Sequence, residues 1–223
     1  MAKRLQDFTA YVPKWPSKIG GVVYINLDKR PDRRKHMEKV RDHLALPPDK
    51  YLRQEAVEWS PGFTGCTRSH ILALQKAVYT WPQATHIVIM EDDFNSSETP
   101  QAFHRRLDQG WEEQPDFDVL FLAMNPVRLQ KGNKVCRVLQ ALCMSAYIIR
   151  KDYIETIIRD MFQQALKDKK PHDLLSQQIQ PRDNWYGFWP PLGHQLVGYS
   201  DIENKDVDYK HLDVQGMQLQ YID

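Results

Sequence analysis

The sequence predicts an α/β sandwich around a mainly parallel sheet. Short apolar runs rich in β-branched residues alternate with longer stretches whose apolar positions recur at helical spacing, and this alternation continues along most of the chain. The composition is globular: 42% of the 223 residues are hydrophobic, enough for one sizeable core, and 14 prolines against 10 glycines suggest ordered loops. No internal repeat or low-complexity tract interrupts the pattern.

Each element follows in order. Residues 20 to 27, GGVVYINL, form a short β-branched run whose brevity favours a buried strand. RPDRRKHMEKVRDHL then changes period: Pro31 suits a first helical turn, Asp32 suits the positive end of the helix dipole, and Met37, Val40 and Leu44 recur at helical spacing. GCTRSHILALQKAVYTWP offers Thr67 or Ser69 as an N-cap, lines up Ile71, Leu74 and Val78, and stops at Trp81-Pro82. HIVIM (86 to 90) and FDVLFLA (117 to 123) read as strands, with QAFHRRLDQGWEE between them as a helix that Gly110 weakens near its end. VCRVL and MSAYIIR (144 to 150) read as two further strands. KDYIETIIRDMFQQALKD (151 to 168) sets Ile154, Ile157, Ile158, Met161 and Ala165 on one helical face. After Pro171 the chain is loop-rich, with WYGFWPPLG near the centre of that segment.

Bulk properties exclude several classes. A net charge of +1 argues against a surface devoted to nucleic acid, so no nucleic-acid partner is expected. Cys66, Cys136 and Cys143 are odd in number and lack C-x-x-C spacing, which disfavours a disulfide framework or zinc site and fits buried thiols in a reducing compartment. The opening residues contain no signal-type apolar region, and no run approaches the ~18 apolar residues of a membrane span. The expectation is a soluble, cytoplasmic protein, in which the sequon at Asn95 stays unmodified.

Two clusters carry chemistry. Glu91, Asp92 and Asp93 follow an apolar strand directly, at the carboxyl end of a sheet element, where α/β sheets bind ligands. Adjacent carboxylates there are costly unless neutralised, and their hard oxygens suit Mg²⁺ or Mn²⁺; the alternative is a solvated loop with its acids turned outward. Lys29, Arg30, Arg33, Arg34 and Lys35 crowd a strand-to-helix junction, where helix N-terminal amides already favour an anion such as a phosphate. Some of these bases simply solvate the helix, because successive residues cannot share one face. A metal opposite a basic junction describes a nucleotide diphosphate site.

Four segments together, VVYINLDKRPDRRKHM, RQEAVEWSPGFTGCTRSHILALQKA, HIVIMEDD and WPPLGHQLVGYSDI, resemble the successive motifs of glycosyltransferase family 25. That group includes the lipooligosaccharide and collagen galactosyltransferases, and the likeness runs from about Gly20 to Ile202. The resemblance implies a GT-A-like, nucleotide-diphospho-sugar transferase sandwich over a single domain, 1–223. Its nucleotide-binding part would be about 20–125 and its acceptor-side part about 126–223.

It further implies Mn²⁺ (or Mg²⁺), a UDP-sugar donor, and a glycan or lipid-linked saccharide acceptor. The activity would be inverting transfer of a hexose, galactose or glucose, in glycan biosynthesis. By position, Glu91 and Asp93 would hold the metal, with Asp92 supporting metal or ribose, while Asn26, Leu27, Asp28 and Arg30 border the nucleotide and Arg33 joins them from the basic cluster. Glu58 would also contact the nucleotide sugar, although AVEW is a departure: Glu58 and Trp59 stand where relatives read Asp-Gly.

Ser69 and His70 match a G-C-x-x-S-H element, as ligand contacts or as a helix cap and a core histidine. Asp173, in PHDLLSQQI, is a candidate base for the acceptor hydroxyl or an ordinary N-cap. His194 could complete the metal shell. Trp185, Tyr186, Phe188 and Trp189 either stack on sugar faces or fill the core. The alternatives to a transferase are a nucleotidyltransferase, or a non-catalytic relative that binds nucleotide or glycan.

Overall fold

The computed structural model describes residues 14–203, 205–208 and 220–222. Its centre is a seven-stranded sheet in the order β11-β5-β7-β6-β3-β1-β2. The strands are β1 (Ile19–Asn26), β2 (Tyr51–Glu55), β3 (His86–Glu91), β5 (Val119–Gln130), β6 (Val135–Arg150), β7 (Trp185–Phe188) and β11 (Gln220–Ile222). Every one except β6 runs in the same direction. Two short pairings lie outside the sheet: β4 (Phe94–Asn95) with β8 (His194–Gln195), and β9 (Gly198–Ser200) with β10 (Lys205–Val207).

Alternation along the strands builds two cores. On one face Val23, Ile25, Ile87, Ile89 and Tyr147 pack under Leu74 and Ala77 of α2 (Gly62–Thr80) and under the helical segment that follows β6. On the other face Val22, Tyr24, Val88, Met90 and Ile148 meet Met37 and Val40 of α1 (Pro31–His43) and Phe103 and Leu107 of α3 (Pro100–Glu113). A period of two along a strand sends successive side chains to opposite faces, so both layers are covered by helices.

Several expectations are corrected. α2 begins at Gly62 with Pro61 in the N-cap position, so neither Thr67 nor Ser69 caps it. Gly110 lies in the last turn of α3 and is buried, and a Cβ there would come within 2.7 Å of the Phe188 ring, so close packing accounts for a glycine at this position. The two strands expected between 135 and 150 are one, β6. Leu142 pairs with Asn125 but Ala146 with Ala123, so β6 bulges between these pairs, where Cys143 takes a left-handed φ of 68°. That bulge lets the second half of β6 lie between β3 and β5 while its first residues, from Val135, pair with β7.

The amphipathic stretch after β6 is α4 (Ile154–Ile157), a π-helical turn (Ile158–Gln163) and α5 (Gln164–Asp168), and the loop-rich segment beyond it holds α6 (His172–Ile179). Trp185 and Phe188 are fully buried, and Trp189 packs against the same core as Trp185, so the aromatic run fills the interior; Tyr186 lies under the Arg137 guanidinium.

Candidate active site

The parallel strands β1, β2 and β3 all end at one edge of the sheet, and a cavity of about 560 Å³ opens there. This is the edge where open α/β sheets hold ligands, because the strand ends and the loops beyond them leave a crevice. Asn26 ends β1, and Glu91 ends β3 with Asp92 and Asp93 just beyond; all four line the cavity. Leu27, Arg30, Arg33, Glu58 and Ser69 line it too, whereas Asp28, Asp173 and His194 do not.

Each acid is held differently. Asp92 accepts a 2.6 Å hydrogen bond from the Asn26 amide, whose own oxygen accepts from Arg53 at 3.0 Å. Asp93 accepts from the Gln195 amide at 3.2 Å, and its carbonyl accepts from Leu196 N–H at 2.7 Å, so the β4–β8 pairing fixes the loop that carries it. Gln195 in turn accepts from the Cys143 thiol, which ties the β6 bulge to the acid loop. Glu91 Oε1 accepts from His70 Nε2 at 3.0 Å and from the Cys66 thiol at 3.6 Å.

Burial pushes all three carboxyls up to about 7, because a charge away from water is disfavoured. Neighbouring acids add to the rise: Asp173 at Glu91, Asp93 at Asp92, and Glu91 at Asp93. Arg33 opposes it at each.

Arg33 comes from the first turn of α1 and is almost wholly buried. Its Nη1 lies 3.9 Å from Asp93 Oδ2, too far for a hydrogen bond, and has no partner; Asp93 Oδ1 is likewise buried without one. An orphaned donor and an orphaned acceptor therefore belong to two residues that line one cavity. Leaving either unmatched costs free energy that a suitable ligand would recover. The acceptor set is made of hard carboxylate oxygens, which fits a divalent ion such as Mn²⁺ or Mg²⁺.

Other walls are built by clamps. The Ser69 hydroxyl, from the interior of α2, donates to Gly65 O at 2.7 Å and accepts from Val57 N–H at 2.7 Å, which pins the loop after β2. Gly65 lets that loop approach: a Cβ there would lie 2.3 Å from Val57 O. On the pinned loop Trp59 is half exposed, lines the cavity and carries the Arg68 guanidinium 4.3 Å from its ring centroid. Glu58 reaches outward to Lys29 at 2.7 Å. Asp201, between β9 and β10, sits on Arg30 at 2.6 Å and Lys29 at 3.3 Å, so a carboxylate occupies the bases at the cavity mouth.

The remaining expected residues lie outside the cavity wall. Asp28 is exposed and held by Arg53 and Arg34, which keep its carboxyl below the usual range. His194 turns its Nε2 toward the Asn95 amide at 3.4 Å, while its neighbour Gln195 takes the place against Asp93. Asp173 does not cap α6: Pro171 holds that position and no side chain caps the helix. Its charge is nonetheless felt at Glu91 and Cys66. Arg53, Gln195, Tyr147, His172 and Asp201 were given no role by sequence reasoning. The adjacency of His172 to Asp173 and the place of Asp201 within the GYSDI segment were the only signals for two of them.

No protein-family model matches the chain, and no curated protein sequence does. Among solved structures, the chain is similar to a glycosyltransferase involved in glycosylation of the major capsid of PBCV-1. The TM-score is 0.55 and the identity 10%, over 83% of this chain and 96% of that one. It also aligns with mannose-1-phosphate geranyltransferase from Thermus thermophilus at a TM-score of 0.48 and 10% identity, over 77% of this chain and 73% of that one. Identity this low speaks to fold alone. With the sheet order above, the fold is a GT-A-like α/β sandwich around a mainly parallel sheet.

Proposed function

We propose that the protein is a metal-dependent glycosyltransferase of the family 25 type, moving a hexose from a UDP-sugar to a hydroxyl of a glycan or lipid-linked saccharide with inversion. The observation that carries this reading is the pair of orphaned atoms, Arg33 Nη1 and Asp93 Oδ1, at the cavity beyond β1 and β3. Arg33 could donate to a diphosphate while Asp93 could hold a divalent cation, so the two residues together would fit a metal-bound diphosphate.

Asp93, with Asp92 and Glu91, would hold Mn²⁺ or Mg²⁺, which when bound neutralises charge on the leaving nucleotide diphosphate. Arg33 and Arg30 supply donors to the phosphates, and a guanidinium fits that task through its fork of N–H groups. The Asn26 amide keeps Asp92 oriented. Asp173, although outside the cavity wall, is the carboxylate we assign to take the acceptor proton, supported by its electrostatic influence on Glu91 and by its freedom from a capping role. Inversion needs the acceptor to enter opposite the diphosphate, with the base on the acceptor's side.

The test is to incubate the protein with UDP-sugars and Mn²⁺ in the presence and absence of saccharide acceptors and to follow the released nucleotide. Release of UDP that depends on Mn²⁺ and falls by two orders of magnitude or more in Asp93→Asn, with an unchanged circular dichroism spectrum, supports the reading. Pyrophosphate release from UTP and a sugar 1-phosphate, with no UDP released from UDP-sugars, would instead identify a nucleotidyltransferase. Full activity in Asp93→Asn would refute the metal assignment.

A further inference from the structure

Beside the acid cluster, α2 and α6 bring together three side chains of a different chemical kind, of which Cys66 lines the same cavity. Cys66 and His70 stand four residues apart on α2 and so share one face of it. His172 opens α6 and turns its ring toward His70, with centroids 4.8 Å apart. One donor atom from each of Cys66, His70 and His172 lies within 4.8 Å of the other two. We infer that these three residues form a second divalent-cation site, of thiolate–imidazole type and suited to Zn²⁺, distinct from the carboxylate site for Mn²⁺ or Mg²⁺.

The hydrogen bonds around the histidines carry the argument. A metal-binding imidazole uses one nitrogen for the ion and needs a partner on the other to fix ring and tautomer. Both rings have that partner. His172 Nδ1 lies 3.1 Å from the Thr67 hydroxyl, which spends its own proton on Phe63 O at 2.8 Å and can therefore only accept from His172. The proton of His172 is thus on Nδ1, and Nε2 keeps its lone pair. His70 Nδ1 lies 3.0 Å from the Tyr147 hydroxyl, which can donate or accept. Phe162 stacks on both rings, at 5.6 Å from His70 and 5.1 Å from His172, and limits their rotation.

Glu91 is the natural fourth ligand, since Oε1 is already 3.0 Å from His70 Nε2 and 3.6 Å from Cys66 Sγ. A tetrahedral zinc ion with bonds of about 2.0 to 2.3 Å sets its ligand atoms roughly 3.3 to 3.8 Å apart, so the cluster has to contract by about an ångström at its widest separation. Binding is balanced in protons. The Cys66 S–H bond breaks and its proton leaves to solvent, while the His70 proton moves from Nε2 to Nδ1 and Tyr147, which had donated to Nδ1, turns its O–H away and accepts instead. One proton is released per ion and nothing is oxidised.

Softness separates the two sites: thiolate and imidazole select zinc or cobalt, and oxygen donors suit magnesium or manganese. Glu91 belongs to both sets, so occupancy of the thiolate–imidazole site acts directly on the acid cluster. The inference does not depend on the transferase reading, because the cluster is complete without nucleotide.

The test titrates the metal-free, reduced protein with Co²⁺ and records its absorption. One equivalent should produce a thiolate-to-cobalt charge-transfer band in the near ultraviolet together with intense visible bands of a four-coordinate ion. Excess Zn²⁺ should abolish both and excess Mn²⁺ should not. The charge-transfer band should vanish in Cys66→Ser and persist in Cys136→Ser and Cys143→Ser. Should Cys66→Ser fail to fold, His172→Gln must weaken zinc binding by more than the roughly 10- to 100-fold that loss of an outer partner costs. Absence of the charge-transfer band in the unmodified protein, its survival in Cys66→Ser, or unchanged zinc affinity in His172→Gln overturns the inference, whether or not the protein binds UDP.

Discussion

Trp59 is the residue whose exposure most needs a reason. A large ring left half in water, backed on one side by the Arg68 guanidinium and held on a loop pinned by Ser69, offers a planar surface at the cavity rim. Under the proposed reading a uracil base stacks there, a contact worth about 1–3 kcal/mol. Trp59→Ala should raise the Kd for UDP accordingly while Trp59→Phe retains most of the affinity, measured by calorimetry; equal affinity in the alanine variant would remove Trp59 from the site. Ser69 shows where sequence reasoning reaches its limit. Its residue type suggested an N-cap, yet its hydroxyl is spent inside α2, on Gly65 O and Val57 N–H, because the helix has its N-cap at Pro61, well before Ser69. Glu91 to Asp93 were legible for the opposite reason: an apolar strand ending in three acids is a contradiction that shows in the sequence itself.

At the scale of elements, helices with a sustained stripe were readable and strands with an interruption were not. Met37, Val40 and Leu74 are buried where periodicity placed them. Leu74 is wholly buried on α2, so Leu74→Ala should destabilise the protein by about 2–5 kcal/mol, read from denaturant unfolding with an unchanged m-value. A loss below about 0.5 kcal/mol would show that α2 does not bear on the core as described. The single strand β6 was hidden by its bulge, since Cys143 breaks the alternation just where the chain turns. β2 was missed because none of its five residues is fully buried, and YLRQE therefore carries no apolar signature. The segment from β9 to β10 sets Asp201 on Arg30 and Lys29, in competition with phosphate. Asp201→Asn should therefore tighten UDP binding at low ionic strength, with the gain shrinking as salt screens the bases. Weaker binding in that variant would show that Asp201 assists the ligand rather than competing with it.

For the whole molecule, the acid cluster sets how stability depends on pH. Glu91, Asp92 and Asp93 titrate near 7 when folded, well above their unfolded values near 4. The folded state thus binds more protons between those limits. In the metal-free protein these groups cost nothing below the unfolded values, and stability is lost as pH rises through 7. The apparent Tm should be higher at pH 5.5 than at pH 8 by on the order of a few degrees, and Mn²⁺ should restore the loss at pH 8. A Tm that rises with pH and ignores Mn²⁺ would mean the acids are solvated. The sandwich itself was legible from alternation, because burial of both sheet faces forces that pattern. The topology was not, since the reversed direction of β6 is set by pairing with β3 and β5, which no local signal records.

The central claim is that the carboxylates beyond β3 and the arginines of α1 share one metal-bound diphosphate. Anomalous diffraction at the manganese edge from a crystal grown with Mn²⁺ and UDP tests it most directly. The account predicts a single strong peak bonded to Asp93, with the UDP phosphates between that peak and Arg33. A peak elsewhere, or UDP bound with Asp93 and Arg33 still unpartnered, would contradict it.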